Sequence, residues 1–282
     1  MTGDPQVLLS GLAIGESARW HDDRLWFANW GTGEIIAAGL DGRSEMMAQL
    51  APTTLPISID WLPDGRMIVV PGAEGRLLRQ EADGSLVTHA DLSELAPGFN
   101  EIVVDDRGRA YVNGGEFDFE TGGGDGIVAL VDPDGSARKV AGDISFGNGM
   151  AITPDGSTLI VAESWARQLS AFTIGADGGL SDRRVWADCG TGPPDGICVD
   201  VDGAVWYADV PNKRCVRVRE GGEVLQTISL DRGAFSCMLG GPDGRTLFML
   251  AAEWAGFAEM DDSARTGLLL VAQAPAAHAG RP

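Results

Sequence analysis

The sequence predicts an all-β protein, a six-bladed β-propeller whose ring is closed by an N-terminal strand. Three observations predict it. An Asp-Gly turn between short β-rich runs recurs every 41 to 48 residues, a second turn series interleaves with the first, and no helical period intervenes. Four strands per unit, six times over, is the spacing of propeller blades.

Each element follows in order. QVLLSGL (6–12) precedes the first copy and is the candidate closing strand, because pairing it into the last blade removes an exposed sheet edge. RWHDDRLWFA is the first copy, with Arg24 where later copies carry Gly. WLPDGRMIVV, VVDDRGRAYV, AITPDGSTLIVA, CVDVDGAVWYA and LGGPDGRTLFML follow, turning at Gly65, Gly108, Gly156, Gly203 and Gly244. The second series turns at Gly42, Gly84, Gly135, Gly178 and Gly222. Gly accepts the positive φ that hairpin turns require. LFMLAAEW and TGLLLVA supply the last blade, so residues 1–282 read as a single propeller domain. Residues 272–282, rich in Ala and Pro, are expected to be a frayed tail.

Composition narrows the function. Hydrophobic residues are 44% of the chain, enough for a large core, which excludes disorder. The net charge of −20 repels phosphate backbones and anionic lipid, so neither nucleic acid nor a membrane surface is expected as a partner. No run approaches ~18 apolar residues, and the first residues lack a secretion signal; a cytoplasmic protein is expected. The four cysteines form no CxxC pair and read as buried free thiols. Three histidines leave little scope for a histidine-dependent nucleophile, and His21 reads as structural. Without heptads or a large apolar stripe, a monomer is the default.

Eight residues before each inner turn position, one equivalent column reads Glu16, Ile57, Asn100, Asn148, Asp195 and Ser236. Two residues further it reads Ala18, Ile59, Ile102, Met150, Ile197 and Met238, all apolar, as inner strands packed between blades require. Glu16, Asn100, Asn148 and Asp195 would then converge at one mouth of the central channel. Two converging carboxylates with no Lys or Arg in their column raise each other's pKa unless a cation is present. An all-oxygen donor set suits a hard divalent ion. Ca²⁺ is favoured, with Zn²⁺, Mn²⁺, Fe²⁺ or Mg²⁺ as alternatives.

IGESARW (14–20), FGNGMAITPDGSTLIVAES (146–164) and PPDGICVDVDGAVWYAD (193–209) resemble, in that order, the metal-site segments of the gluconolactonase/regucalcin (senescence marker protein) family. The resemblance spans essentially the whole chain. It implies a six-bladed propeller holding one divalent cation through Glu16, Asn148 and Asp195, and lactone hydrolysis. It also implies that Asn100 faces substrate, although Glu101 follows where the family often has Asp. Sugar-lactonase members carry an arginine two residues before that asparagine; this chain has Gly98 and so lacks that contact to sugar hydroxyls.

The loops 113–126 and 251–267 follow second strands and should lie over the same mouth as a lid. From them and their neighbours, Glu116, Phe117, Phe119, Trp165, Trp254 and Phe257 are candidate pocket walls, with Glu116 and Trp165 as substrate contacts. Trp20, Trp26, Trp61 and Trp206 alternate within strands and read as core. The expected reaction is metal-dependent opening of a small neutral lactone to a hydroxy acid, with the ion polarising the carbonyl and Asp195 as the catalytic base for water. An organophosphate or aryl ester hydrolase using the same site, and a non-catalytic calcium- or ligand-binding propeller, are the alternatives.

Overall fold

The computed structural model describes residues 4–51, 55–256 and 264–280, and its hairpins rest on one repeated local device. In the turns, an Asp side chain accepts the backbone N–H two residues ahead: Asp64 from Arg66 at 3.1 Å, Asp83 from Ser85 at 3.0 Å, Asp134 from Ser136 at 2.9 Å. The glycine between them takes a φ of 83°, 83° and 86° at Gly65, Gly84 and Gly135. Asp closes the turn and Gly supplies the left-handed residue. The first copy differs. Asp22 and Asp23 themselves adopt φ of 47° and 58°, and His21 pairs directly with Arg24. Arg24 therefore opens the next strand instead of standing at the glycine's place, because Asp tolerates the left-handed region.

The strands form six four-stranded antiparallel sheets. The first is β2 (Gly15–His21), β3 (Arg24–Asn29), β4 (Glu34–Ala38) and β5 (Ser44–Gln49). The second is β6 (Ile57–Trp61), β7 (Met67–Pro71), β8 (Arg76–Gln80) and β9 (Leu86–Asp91). The third is β10 (Phe99–Val104), β11 (Ala110–Asp118), β12 (Gly123–Val131) and β13 (Ala137–Ile144). The fourth is β14 (Gly147–Ile152), β15 (Thr158–Glu163), β16 (Gln168–Ile174) and β17 (Leu180–Asp188). The fifth is β18 (Pro194–Val199), β19 (Val205–Asp209), β20 (Arg214–Val218) and β21 (Val224–Ser229). The sixth is β22 (Gly233–Gly240), β23 (Thr246–Ala252) and β24 (Gly267–Gln273), completed by β1 (Gln6–Leu12) as its outer strand. Gln6 lies opposite Val271 and Leu12 opposite Gly267, so QVLLSGL is the closing strand.

Successive inner strands pack on one another, and β22 returns to β2, which makes the six sheets the blades of a propeller. The core lies in layers between blades. Ile35 and Ile59 meet between blades one and two, Val70 and Ile102 between two and three, Tyr111 and Val161 between three and four, Val205 and Ala171 between four and five. Phe27, Trp206 and Phe248 fill the layer shared by blades five, six and one. Trp206 and Trp26 are buried as expected. Trp20 and Trp61 are half-buried instead, stacked at 5.3 Å on Phe248 and at 4.1 Å on His21, which fixes His21 in a packing role. All four cysteines are free and buried.

Through residue 280 the tail is held in place, and the last two residues lie outside the described ones. Ala274 and Ala276 are buried. Val201 N–H donates to the Ala277 carbonyl at 2.9 Å, His278 N–H to Gly244 at 2.9 Å and Ala279 N–H to Val199 at 3.1 Å. Small side chains let this segment lie flat against the inner turns of blades five and six. Among the described residues no helix is long and apolar enough to cross a membrane.

Candidate functional site at the channel mouth

The inner strands are regular near their turns and irregular where the site residues sit. Register shifts separate Glu16 from Arg19, Phe99 from Ile102, Gly147 from Met150, Pro194 from Ile197 and Ala234 from Ser236. A bulge bends its strand and re-aims side chains. Blade two has none: Ile57 to Trp61 pair without interruption, and Ile57 is fully buried between blades. In blade six the shift falls one residue earlier than the column implied. Phe235 therefore lines the mouth, while Ser236 is buried and its Oγ accepts the Ala18 N–H at 3.1 Å.

Glu16, Asn100, Asn148 and Asp195 come together on one cavity of about 980 Å³. Two glycines permit it. A Cβ on Gly149 would stand 2.6 Å from the Asp195 carbonyl oxygen, and one on Gly196 2.6 Å from Ser236 Oγ. Asn-Gly and Asp-Gly thus let neighbouring inner strands approach while the preceding side chain reaches the axis. Asn113, which the sequence reading passed over, ties two bulges together: its Oδ1 accepts the Glu101 N–H at 3.1 Å and its Nδ2 donates to the Asn148 carbonyl at 2.5 Å.

Burial holds the Glu16 carboxyl well above the usual carboxylate range, reinforced by Asp195 and then Glu101. Burial does the same to Asp195, with Glu101 as the next cause. Asp195 Oδ1 is buried with no hydrogen-bond partner. A basic side chain stands close by, contrary to the reading of the column alone. Arg19 reaches from blade one to Glu101, Nη2 to Oε1 3.1 Å, and donates also to the Ile102 carbonyl at 2.5 Å. Ser17, at φ 52° in the blade-one bulge, donates to the same Glu101 oxygen at 2.9 Å. Glu101 is still raised, by burial. Arg19 is engaged by Glu101, and Asp195 Oδ1 stays unsatisfied.

One N–H of each floor amide and the floor hydroxyl are committed inward. Asn100 Nδ2 donates to the Gly147 carbonyl at 3.1 Å, Asn148 Nδ2 to Ser164 Oγ at 3.4 Å, and Ser164 Oγ to the Pro194 carbonyl at 2.7 Å. What remains is a set of oxygen acceptors, two of them carboxylates whose charge burial opposes. Unpaired buried acids with an orphaned oxygen fit a divalent cation bound through Glu16, Asn148 and Asp195.

Residues 113–126 are not a loop. They continue β11 and β12 into a hairpin, paired from Gly114 opposite Ile127 to Asp118 opposite Gly123, because alternating side chains and a Gly-rich return strand extend the ladder. Glu116, exposed, and Phe117 and Phe119 line the cavity from it. Phe146, missed from the sequence, joins them: its ring is 5.0 Å from Phe117 and stacks at 4.8 Å on Trp165. Across the ring, Phe235 and Trp254 pack at 5.5 Å beside Val210 and Trp30. Phe257 lies outside the described residues. A second cavity, about 470 Å³, opens on the opposite face between the inner turns of blades three and four. Its Arg109 is paired with Asp105 at 2.6 Å and its Arg107 donates to Ala176 at 2.9 Å, so its cations are already engaged.

Comparison with known proteins agrees with this architecture. The chain is 30% identical to regucalcin of Danio rerio over 55% of its length and 54% of that protein's. It is 30% identical to the 6-deoxy-6-sulfogluconolactonase of Pseudomonas putida over 45% of each. These matches span about half the length of either relative. Among solved structures, a luciferin-regenerating enzyme superposes with a TM-score of 0.83 at 17% identity, covering 99% of this chain and 97% of the other. The calcium-binding regucalcin of Agrobacterium tumefaciens does so at 0.79 and 21%, covering 99% and 96%. Likeness at that identity shows the fold. The family model described as the SMP-30/Gluconolactonase/LRE-like region matches residues 14–253, nearly the whole ring with its bulged inner strands, and the chain belongs to that family.

Proposed function

We propose that the protein is a divalent-metal-dependent lactonase that opens a small lactone to its hydroxy acid, acting as a monomer. The observation that carries this reading is Asp195: a buried carboxyl on a cavity floor, one oxygen without a partner, beside a second buried acid. Two relatives support it by name, a sulfogluconolactonase and the L-arabinolactonase of Azospirillum brasilense. Glu16, Asn148 and Asp195 would hold the ion, and Ca²⁺ is the first choice for irregular, all-oxygen coordination. When bound, such an ion supplies Lewis-acid polarisation of the lactone carbonyl and compensates the oxyanion that develops.

The chain's own groups do the rest. The Asp195 carboxylate, kept ionised beside a bound cation, would take a proton from water as the water oxygen bonds to the carbonyl carbon. The ring C–O bond then breaks, and the same proton passes from Asp195 to the departing alkoxide. Asn100, held by Gly147, presents its side-chain oxygen to the substrate. Glu116 and Trp165 shape the approach, and the aromatic walls limit bulk water around the reacting bond.

The test is a pH-indicator hydrolysis screen of lactones, aryl esters and phosphotriesters on chelator-stripped protein, restoring Ca²⁺, Mg²⁺, Mn²⁺ or Zn²⁺ singly. Metal-dependent lactone turnover that Asp195→Ala abolishes is the expected result. Turnover unaffected by chelator or by Asp195→Ala overturns the mechanism, and silence across the lactones overturns the activity.

A further inference from the structure

The geometry points to an aryl-substituted, uncharged lactone as the substrate class, with the ester at the floor and its aromatic substituent clamped between two walls of the mouth. This deepens the lactonase reading and rests on it. Three observations carry it. First, the walls are aromatic and opposed. Phe117, Phe146 and Trp165 form one packed cluster, with ring centroids 4.8 to 5.6 Å apart, on blades three and four. Phe235 and Trp254 form another on blade six, which the ring order sets across the mouth from blade three. A flat ring entering between them meets π-faces and edges on both sides.

Second, the floor offers few hydrogen-bond donors to a polyol. One N–H of each amide, Asn100 and Asn148, and the hydroxyl of Ser164 donate within the protein, and Trp30 Nε1 donates to the Ile57 carbonyl at 2.9 Å. Away from the floor's acceptors, a sugar lactone would desolvate its hydroxyls against the aromatic walls, where each unpaired polar group is costly. A cavity of about 980 Å³ is also far larger than a bare five-membered lactone fills. Third, the described lining residues include acids, Glu116 at the rim and Glu16 and Asp195 below, and no Lys, Arg or His. An anionic substituent finds no partner there and is repelled from the rim.

The experiment compares three γ-lactones with similar leaving groups on metal-loaded protein: γ-phenyl-γ-butyrolactone, its para-carboxyphenyl counterpart and γ-galactonolactone. Each rate is divided by its spontaneous hydrolysis. The phenyl lactone is expected to exceed each of the others by about 10²-fold in kcat/KM. Phe117→Ala and Trp165→Leu should raise its KM by about tenfold, and that of unsubstituted γ-butyrolactone by much less. Galactonolactone or the carboxyphenyl lactone turned over as well as the phenyl one overturns the proposed class and leaves the lactonase standing. If no lactone turns over, the lactonase reading falls, and tryptophan fluorescence with the non-hydrolysable γ-phenyl γ-lactam decides the clamp. Saturable binding that Phe117→Ala weakens supports it; no binding overturns it.

Discussion

Asp195→Asn should make the chelator-treated protein more stable while removing its response to metal. The wild-type carboxyl is buried, lacks a partner at Oδ1 and faces two other acids, Glu16 and Glu101. An unsatisfied buried polar group costs about 1 to 3 kcal/mol, and more when it is charged. The neutral amide escapes the charged part of that cost. The amide still leaves a polar group unpaired, so only the ionisation cost is recovered, about 1.4 kcal/mol per unit of raised pKa; at roughly 2 °C per kcal/mol for a chain of this length, a rise of about 3 °C or more is expected. The pH dependence has a definite sign. Because the folded pKa is raised, the stability from the protonated acid is fully present below the unfolded value and is lost as pH rises through the folded one. The advantage of Asn should therefore be small near about pH 5 and grow toward about pH 8. Circular dichroism melts in chelator at both pH values, then with Ca²⁺, read all of this. Wild type should gain about 2.7 kcal/mol at a hundredfold excess of ion over Kd, and the variant much less. A variant that melts below wild type near about pH 8, or that keeps the full metal-induced shift, refutes the reasoning.

Two further outcomes follow from the packing. Gly149→Ala should destabilise by about 3 kcal/mol or more and weaken cation binding, since its Cβ would lie 2.6 Å from backbone of Asp195 and Ile197. Gly203→Ala, at φ 76° with open space around it, should cost only about 1 to 2 kcal/mol and leave cation binding unchanged; denaturant titration and isothermal calorimetry separate the two. Ending the chain after Gln273 should lower the melting point by several degrees without altering hydrolysis, because it strips the strap from blades five and six on the face away from the cavity. An unchanged melt would mean that the tail's backbone bonds contribute nothing.

The sequence made the repeat legible because its signal is local: each Asp-Gly turn encodes its own closure, whatever the rest of the chain does. The column of Glu16, Asn100, Asn148 and Asp195 could be counted out because the irregularities of blades three, four and five sit at matching distances from their turns, and that of blade one only one residue nearer to Arg24. In blade six the shift moves by one residue, and no residue pattern in GAFSCMLG announces it, so Ser236 was counted where Phe235 stands. The Arg19–Glu101 pair joins blades one and three across the axis. Neither residue is unusual by itself, although an arginine in the buried part of an inner strand is a signal that it has a buried partner. Phe146 and Trp165 are distant from Phe117 in sequence and meet only through the neighbouring hairpins. The tail misled because Ala and Pro are common both in frayed ends and in segments that must lie close to a surface; burial separates the cases, and burial is not written in composition.

The pairing of Gln6 with Val271 makes the first and last parts of the chain mutually dependent during biosynthesis. Until β24 leaves the ribosome, the opening strand has no partner, and blade six lacks the edge it shares with it. Closing a loop of that size costs about 5 kcal/mol in chain entropy, comparable to the whole net stability of many domains. A nascent chain stalled before Gly267 would expose both an unpaired strand and an open sheet edge, which are the surfaces that chaperones and neighbouring copies recognise. Emergence of β24 and closure of the ring are one event, and vulnerability to aggregation should fall abruptly at that point.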